Sequence, residues 1–442
     1  MTYIQNTPQD REAMLKAIGV ADVDALFADI PASVKLKKPL KVPAMLNELD
    51  LQKHMMELAA KNTTTHVKPS FLGAGYYDHL VPAVVDHVSM RSEFYTAYTP
   101  YQPEASQGTL QCIFEYQTMI SELTGLPVSN ASLYDGAHAV AEAVMMARAQ
   151  TGRSEVLLSS GVHPEYRATV RTYLKHQGGT VKDLACSGAT PVPAIGADTA
   201  AVVIQYPNFF GVIEDVSAFA KAVHAAGALL IVAANPVALG LLKRPGELGA
   251  DIVCGEGQPL GNYIWYGGPG FGFLATKTEF VRRLPGRVAG QTKDSEGKRA
   301  FVLTLQTREQ HIRREKATSN ICTNQGLMTL RATIFLSALG PKGLKQMATL
   351  SLQKAHYAAE RIATLPCWSL PYGDKPYFHE FVAKGPKPAA DVNAYLLRKG
   401  FLGGYDLGRA YPEMKDCLLL CVTEKRTREE IDGLVKALGS LS

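Results

Sequence analysis

Apolar positions along the chain fall into three rhythms. Residues 1–65 show scattered apolar positions in short helical stretches. In "TPQDREAMLKAIG", Thr7 suits an N-cap, Pro8 the first helical turn and Gly19 the stop. A short helix, "DVDALFADIP", is expected to end before Pro31, and "LNELDLQKHMMELAAKN" to form a third. With few large apolar residues, this segment predicts an N-terminal helical extension. From about residue 110 the pattern changes. "TLQCIFEYQTMISELTG" sets Ile113, Tyr116, Ile120 and Leu123 on one helix face with Gly125 as the stop, and "SLYDGAHAVAEAVMMARAQTG" predicts an Ala-rich helix. Short runs then alternate with helical stretches: "EVLLSS", "AVVIQYP", "ALLIVAA", "DIVCG" and "FGFLAT". Runs apolar throughout and separated by helices predict a parallel sheet covered on both faces, so residues 66–330 read as one large α/β domain.

The third rhythm fills residues 331–442. A long helix over about 326–363 leads to "YFHEFVAK", the helix "DVNAYLLRKG", "CLLLCVTE" and the terminal helix "TREEIDGLVKALG". This predicts a smaller C-terminal α+β domain with an antiparallel sheet.

Bulk properties narrow the classes. The 442 residues carry a net charge of +5 without a clustered basic tract, which argues against nucleic acid. Lys35, Lys37, Lys38 and Lys41 read as a solvated segment. Seven cysteines without a CxxC pair suit a reducing compartment, and no apolar stretch reaches the roughly 18–20 residues of a membrane span. The N-terminus has neither a signal-peptide core nor a transit-peptide composition, so the expected location is cytoplasmic.

A large α/β domain followed by a small α+β domain is common in aminotransferase-like enzymes, the fold type I of pyridoxal phosphate (PLP) dependent transferases. Such enzymes need a lysine for the Schiff base and an acidic partner for the pyridine nitrogen. Here the strand "ALLIV" runs into Ala233-Ala234-Asn235 with no acid, and "DIVC" runs into Gly255–Asn262 with Gln258 near the expected lysine position. Lys243 comes before that strand and Lys277 after the next one. The reading is a PLP-enzyme fold without a catalytic centre of its own. Lesser motifs read as structural. "GGPGFG" (267–272) is a tight turn before a strand rather than a nucleotide fingerprint, and Cys417 and Cys421 are core residues rather than metal ligands. His163 is placed to stack over a ring or to cap. No metal site is expected.

Two polar stretches stand out. "TAYTPYQPEASQG" (96–108) brings Tyr98, Tyr101 and Gln102, with Tyr95 just before, between Pro100 and Pro103. "LQTREQHIRREKATSNICT" (305–323) carries Arg308, His311, Arg313, Arg314 and Lys316. Read as a helix, it puts Arg308, His311 and Glu315 on one face and Arg313 and Arg314 on another. The bland reading is a charged, exposed helix; the sharper one is contact with carboxylates or phosphates of a partner.

In these stretches, and in "YIQNTPQDREAMLKAIGV", "FLGAGYYDH", "QYPNFFGVIED", "YGGPGFGFLATK" and "CVTEKRTREEID", the chain resembles the glycine decarboxylase (P-protein) family of the glycine cleavage system, specifically its N-terminal half or first subunit. His138 in "YDGAHA" departs from the small hydroxyl residue more usual there. The resemblance implies a two-chain enzyme, two copies of each chain, in which the second subunit carries the lysine and PLP and the first has lost the site. It implies glycine as substrate and the lipoyl arm of H-protein as acceptor of the aminomethyl group. Tyr95, Tyr98, Tyr101, Gln102, Arg308, His311, Arg313 and Arg314 are then the candidates for reaching the partner's active site. A self-sufficient PLP enzyme using Lys277, and a scaffold without chemistry, are the alternatives.

Overall fold

The computed structural model describes residues 5–317, 321 and 323–441. The chain divides into two compact units, residues 1–63 and 64–442. In the first, the Pro8–Ile18 helix is closed by a capping box between Thr7 and Asp10 and stopped by left-handed Gly19. The second expected helix is a single 3-10 turn, Asp24–Phe27, and the third runs Glu48–Ala59 from the N-cap Asn47. Neither longer helix buries a residue.

In the second unit, seven strands form one sheet: β1 (Val128–Ser129), β2 (Glu155–Ser159), β3 (Thr180–Leu184), β4 (Thr199–Tyr206), β5 (Leu229–Ala234), β6 (Ile252–Glu256) and β7 (Gly272–Thr276). Their order is β1-β7-β6-β5-β4-β2-β3. Strands β6, β5, β4, β2 and β3 are parallel, as the apolar runs predict. The expectation fails at one edge, where β7 lies antiparallel to β6 and β1 antiparallel to β7. The link from β6 to β7 contains only 3-10 helix, so no crossover helix turns the chain back.

Both faces are covered, and strand alternation deals residues to each. Val202, Ile204, Leu230 and Val232 pack on one side with Tyr116, Phe219 and Phe335 from the helices Gln107–Thr124, Val216–Ala225 and Gly326–Ala363. Ala201, Val203, Ile231 and Ala233 pack on the other against Val140 and Val144 of the Gly136–Thr151 helix and Val170 of Pro164–Leu174. A hairpin not foreseen from the sequence, β8 (Val288–Lys293) with β9 (Arg299–Thr304), lies on the Gln107–Thr124 helix through Leu110, Ala289, Phe301 and Leu303.

The 326–363 helix forms as expected, kinked where Gly340 takes φ 60° ahead of Pro341. Beyond it β10 (Glu380–Lys384), β11 (Tyr405–Asp406) and β12 (Cys417–Cys421) make an antiparallel sheet, ordered β10-β12-β11. Leu418 and Leu420 face the helices Ala389–Arg398 and Arg428–Gly439, and Cys417 and Leu419 face Phe209 and Phe210 of the larger lobe. Cys417 and Cys421 are both buried, in keeping with a packing role.

Candidate functional site

In an open α/β sheet the crevice for a ligand lies beyond the carboxyl ends of the parallel strands. Here β2 leads to His163, β4 ends at Gln205 and Tyr206, β5 runs into Asn235 and β6 ends at Glu256. The cavity between them has a volume of about 30 Å³, lined by Tyr77, His163, Tyr166, Gln205, Asn235 and Glu256. That is room for about one or two waters.

Several polar groups at this crevice are used within the chain. Asn235 accepts a hydrogen bond from the Val237 amide, 2.9 Å, which shapes its own turn. Gln258 is fully buried; its Oε1 accepts from Tyr77 N (2.9 Å), and its Nε2 donates to Tyr77 O (3.1 Å) and Asn262 O (2.8 Å). The His163 ring stacks on Tyr166 with centroids 4.8 Å apart. Its Nδ1 accepts from the Glu165 amide and its Nε2 lies 2.9 Å from the Ala74 carbonyl, which sets the proton on Nε2. Burial pushes this imidazole below its usual range. So the ring that His163 stacks over is the protein's own.

Glu256 is the group that sequence reasoning missed. Its Oε2 accepts from Gly136 N at 2.9 Å, and its Oε1 from Gln258 N at 2.9 Å and Phe271 N at 3.1 Å. Burial pushes its carboxyl up to about 8, against the three amide bonds that pull it down. Gly136 makes this approach possible: a Cβ there would stand 2.7 Å from Glu256 N and 2.4 Å from Tyr166 Oη. Next to it, Tyr77 Oη donates to Glu380 (2.8 Å), whose carboxyl burial raises to about 7.

These residues do not suit PLP. There is no amine at the end of β6, no acid at the end of β5, and little volume. Lys277 does not rescue the site. The register of β6 with β7 pairs Ile252 with Thr276, which puts Lys277 at the opposite end of the sheet, 2.5 Å from Asp251 Oδ1. Among the described residues no cluster of His, Cys, Asp and Glu is placed to hold a metal, and no helix is long and apolar enough to cross a membrane.

The tyrosine stretch lies elsewhere, on the surface. Tyr95, Tyr98 and Gln102 are exposed, Tyr98 at 81%. Phe94, Tyr95, Tyr98, Ile113 and Leu330 line a groove of about 260 Å³ that Arg287 also borders. Tyr101 is exposed as well, at 47%, yet its hydroxyl meets a buried group: its Oη accepts from Arg287 Nη2 at 2.8 Å, and the guanidinium lies 5.2 Å from its ring centroid. Arg287 is buried and 3.7 Å from Glu309, which is in turn 3.6 Å from His311 Nδ1. His311 sets its ring edge against Tyr101. The structure therefore brings Tyr101 and His311 together through Arg287 and Glu309, two residues no sequence spacing flags.

The expected helix over 305–323 is corrected. Only Gln310–Arg313 is helical, between 3-10 turns, and residues 318–320 and 322 lie outside the described residues. Arg308 is buried and donates to the carbonyls of Leu284, Gly286 (3.1 Å) and Leu305 (3.1 Å), so it anchors the segment instead of sharing an exposed face with His311. Arg313 and Arg314 are exposed. A second aromatic patch, also missed, follows β6: Tyr263 and Trp265 flank the buried Arg331, with Tyr266 87% exposed at φ 57°.

Compared with known proteins, residues 1–438 match the glycine cleavage system P-protein family. The chain belongs to that family. It is 52% identical over 442 residues to a probable glycine dehydrogenase (decarboxylating) subunit 1 from Anoxybacillus flavithermus, covering 99% of this chain and 98% of that one. It is 53% identical, with the same coverage, to the subunit 1 of Geobacillus thermodenitrificans. Among solved structures it is similar to an inhibitor-bound glycine decarboxylase (P-protein), with a TM-score of 0.93, 46% identity and full coverage of both chains. A sphingosine-1-phosphate lyase from Burkholderia pseudomallei, at TM-score 0.66 and 15% identity over 93% of this chain and 94% of its own, shares the fold alone. This chain therefore has the aminotransferase-like, PLP-dependent fold type I, as the alternation of strands and helices leads one to expect. Glycine decarboxylation is the activity of its family.

Proposed function

We propose that this chain is the subunit of a two-chain glycine decarboxylase that holds no PLP, and that it completes the active site of a second subunit that does. The observation carrying this reading is the crevice at the strand ends, closed by Gln258 and Glu256, in a chain whose relatives are named subunit 1. On the partner, the coenzyme supplies the electron sink that lets carbon dioxide leave glycine. The aminomethyl group then passes to the oxidised lipoyl arm of H-protein. The assembly has two copies of each chain and works in the cytoplasm.

This chain's part is positioning. Tyr95 and Tyr98 offer phenol groups at the rim of the groove, and Pro100, buried beside them, restricts the backbone that presents them. Tyr101 and Arg287 brace that segment from below. Arg313 and Arg314 are exposed cations for a partner's carboxylates or phosphates and His311 lies beside them against Glu309 and Tyr101, whereas Arg308 and Gln258 act inside the fold. The test is co-expression with the second subunit. The isolated chain should show no visible aldimine band, and the complex should show both the band and glycine decarboxylation. A band in the isolated chain refutes the assignment.

A further inference from the structure

Three backbone amides from three separate segments point at one spot in this chain. Gly136 N opens the 16-residue Gly136–Thr151 helix, Gln258 N lies just past β6, and Phe271 N lies just before β7. A helix N-terminus joined by two further N–H groups is the arrangement that binds phosphate in many proteins, through the helix dipole and unpaired donors together. Two phenols stand beside the spot. A Cβ built on Gly136 would meet Tyr166 Oη at 2.4 Å, and one built on Gly270 would meet Tyr76 Oη at 2.4 Å and Glu256 Oε1 at 2.5 Å. All three amides are taken by one side chain, Glu256.

We propose that Glu256 is an internal ligand: its carboxyl fills a built phosphate cradle and so shuts this chain to phosphate monoesters. The loss of the coenzyme then has a second cause beside the missing lysine, since an incoming phosphate finds its three amide donors already paired and its space packed between two glycines. The same three bonds tie the start of the helix to both ends of the β6–β7 link. Glu256 thus replaces the cohesion that a bound phosphate supplies in a loaded site. This deepens the reading of the crevice as one that takes no cofactor, and rests on it.

The test is thermal unfolding of the full chain and its variants, at constant ionic strength, with inorganic phosphate, PLP or unphosphorylated pyridoxal. The wild-type midpoint is expected to ignore all three. Glu256→Ala should unfold earlier and then recover by about 2–4 °C as phosphate or PLP is raised to several times its Kd, while pyridoxal does nothing. Glu256→Asp, one methylene shorter and out of reach of the Gly136 amide, gives the same readout if the alanine variant does not fold. Glu256→Gln keeps the bulk but offers one acceptor oxygen where the carboxyl offers two, so it should unfold earlier than wild type and, with the space still filled, stay indifferent to phosphate. A folded Glu256→Ala or Glu256→Asp that gains no phosphate response, with an inert wild type, overturns the internal-ligand inference and leaves the subunit assignment standing. A wild-type chain stabilised by PLP overturns both.

Discussion

Glu256 and Gln258 stand two residues apart at the end of β6, and both spend their side-chain polar atoms on groups of their own chain. The absence of lysine and acid was legible in the sequence because those two positions follow strands that periodicity locates. The filling of the space was not, because the Gly136 amide lies 120 residues from Glu256 and only the folded sheet brings them together. Tyr101 and Arg287 are a second case, 186 residues apart. Two predictions belong at this scale. Replacing Tyr98 by Phe should lower turnover of the two-chain complex while leaving its assembly intact; unchanged kinetics would remove Tyr98 from the site. Glu380, bonded to Tyr77 and the Ala74 amide, has a carboxyl raised from 4.5 to about 7, with burial as the main cause. The folded chain therefore keeps a proton that the unfolded chain releases, so stability from this group is full below about pH 4.5 and is lost as pH rises to about 7. The stability difference between wild type and Glu380→Gln should shrink across that window by on the order of 3 kcal/mol. The facing groups, Tyr77 and Cys421, are themselves pushed upward by burial and stay neutral there. A flat difference would contradict the assignment.

At the scale of elements, strong amphipathic or fully apolar segments were readable, and so was the cap Thr7, which accepts from the Asp10 amide; Asp135 and Thr427, not singled out in the sequence, cap their helices in the same way. The direction of β7 was not, since an apolar run has no sense of direction, although its helix-free link to β6 was a usable cue. The β8–β9 hairpin was missed because polar, exposed positions, Gln291, Thr292, Lys293 and Arg299, flank its turn and break the apolar pattern. Its turn, Asp294–Lys298 with Gly297 at φ 79°, was the available signal. This hairpin hangs from two glutamines of one helix. Gln107 bonds Phe301 N and O, and Gln117 bonds Ala289 N and O, at 2.8–2.9 Å. Gln117→Ala leaves two buried backbone groups without partners and should cost about 2–4 kcal/mol. Hydrogen exchange should rise over residues 288–304 and little in β4 and β5. Uniform or unchanged protection would show that the glutamine does not hold the hairpin.

For the whole molecule, the order of large α/β portion and small α+β portion was legible from the change of rhythm along the chain. That no lysine follows β6 and no acid follows β5 was legible in the sequence as an absence. The structure gives that absence a physical form: Gln258 staples Tyr77 to Asn262, His163 lies on Tyr166, and Lys277 pairs with Asp251 at the far end of the sheet. Exposed Tyr95 and Tyr98 line a separate groove instead, bordered by the buried Arg287. A subunit built this way is expected to be inert alone and required in the complex. The most direct measurement is borohydride reduction of the co-expressed two-chain complex, followed by peptide mapping of the fixed pyridoxyl group. The account predicts label on the second subunit only. Label on any lysine of this chain, Lys277 included, would contradict it.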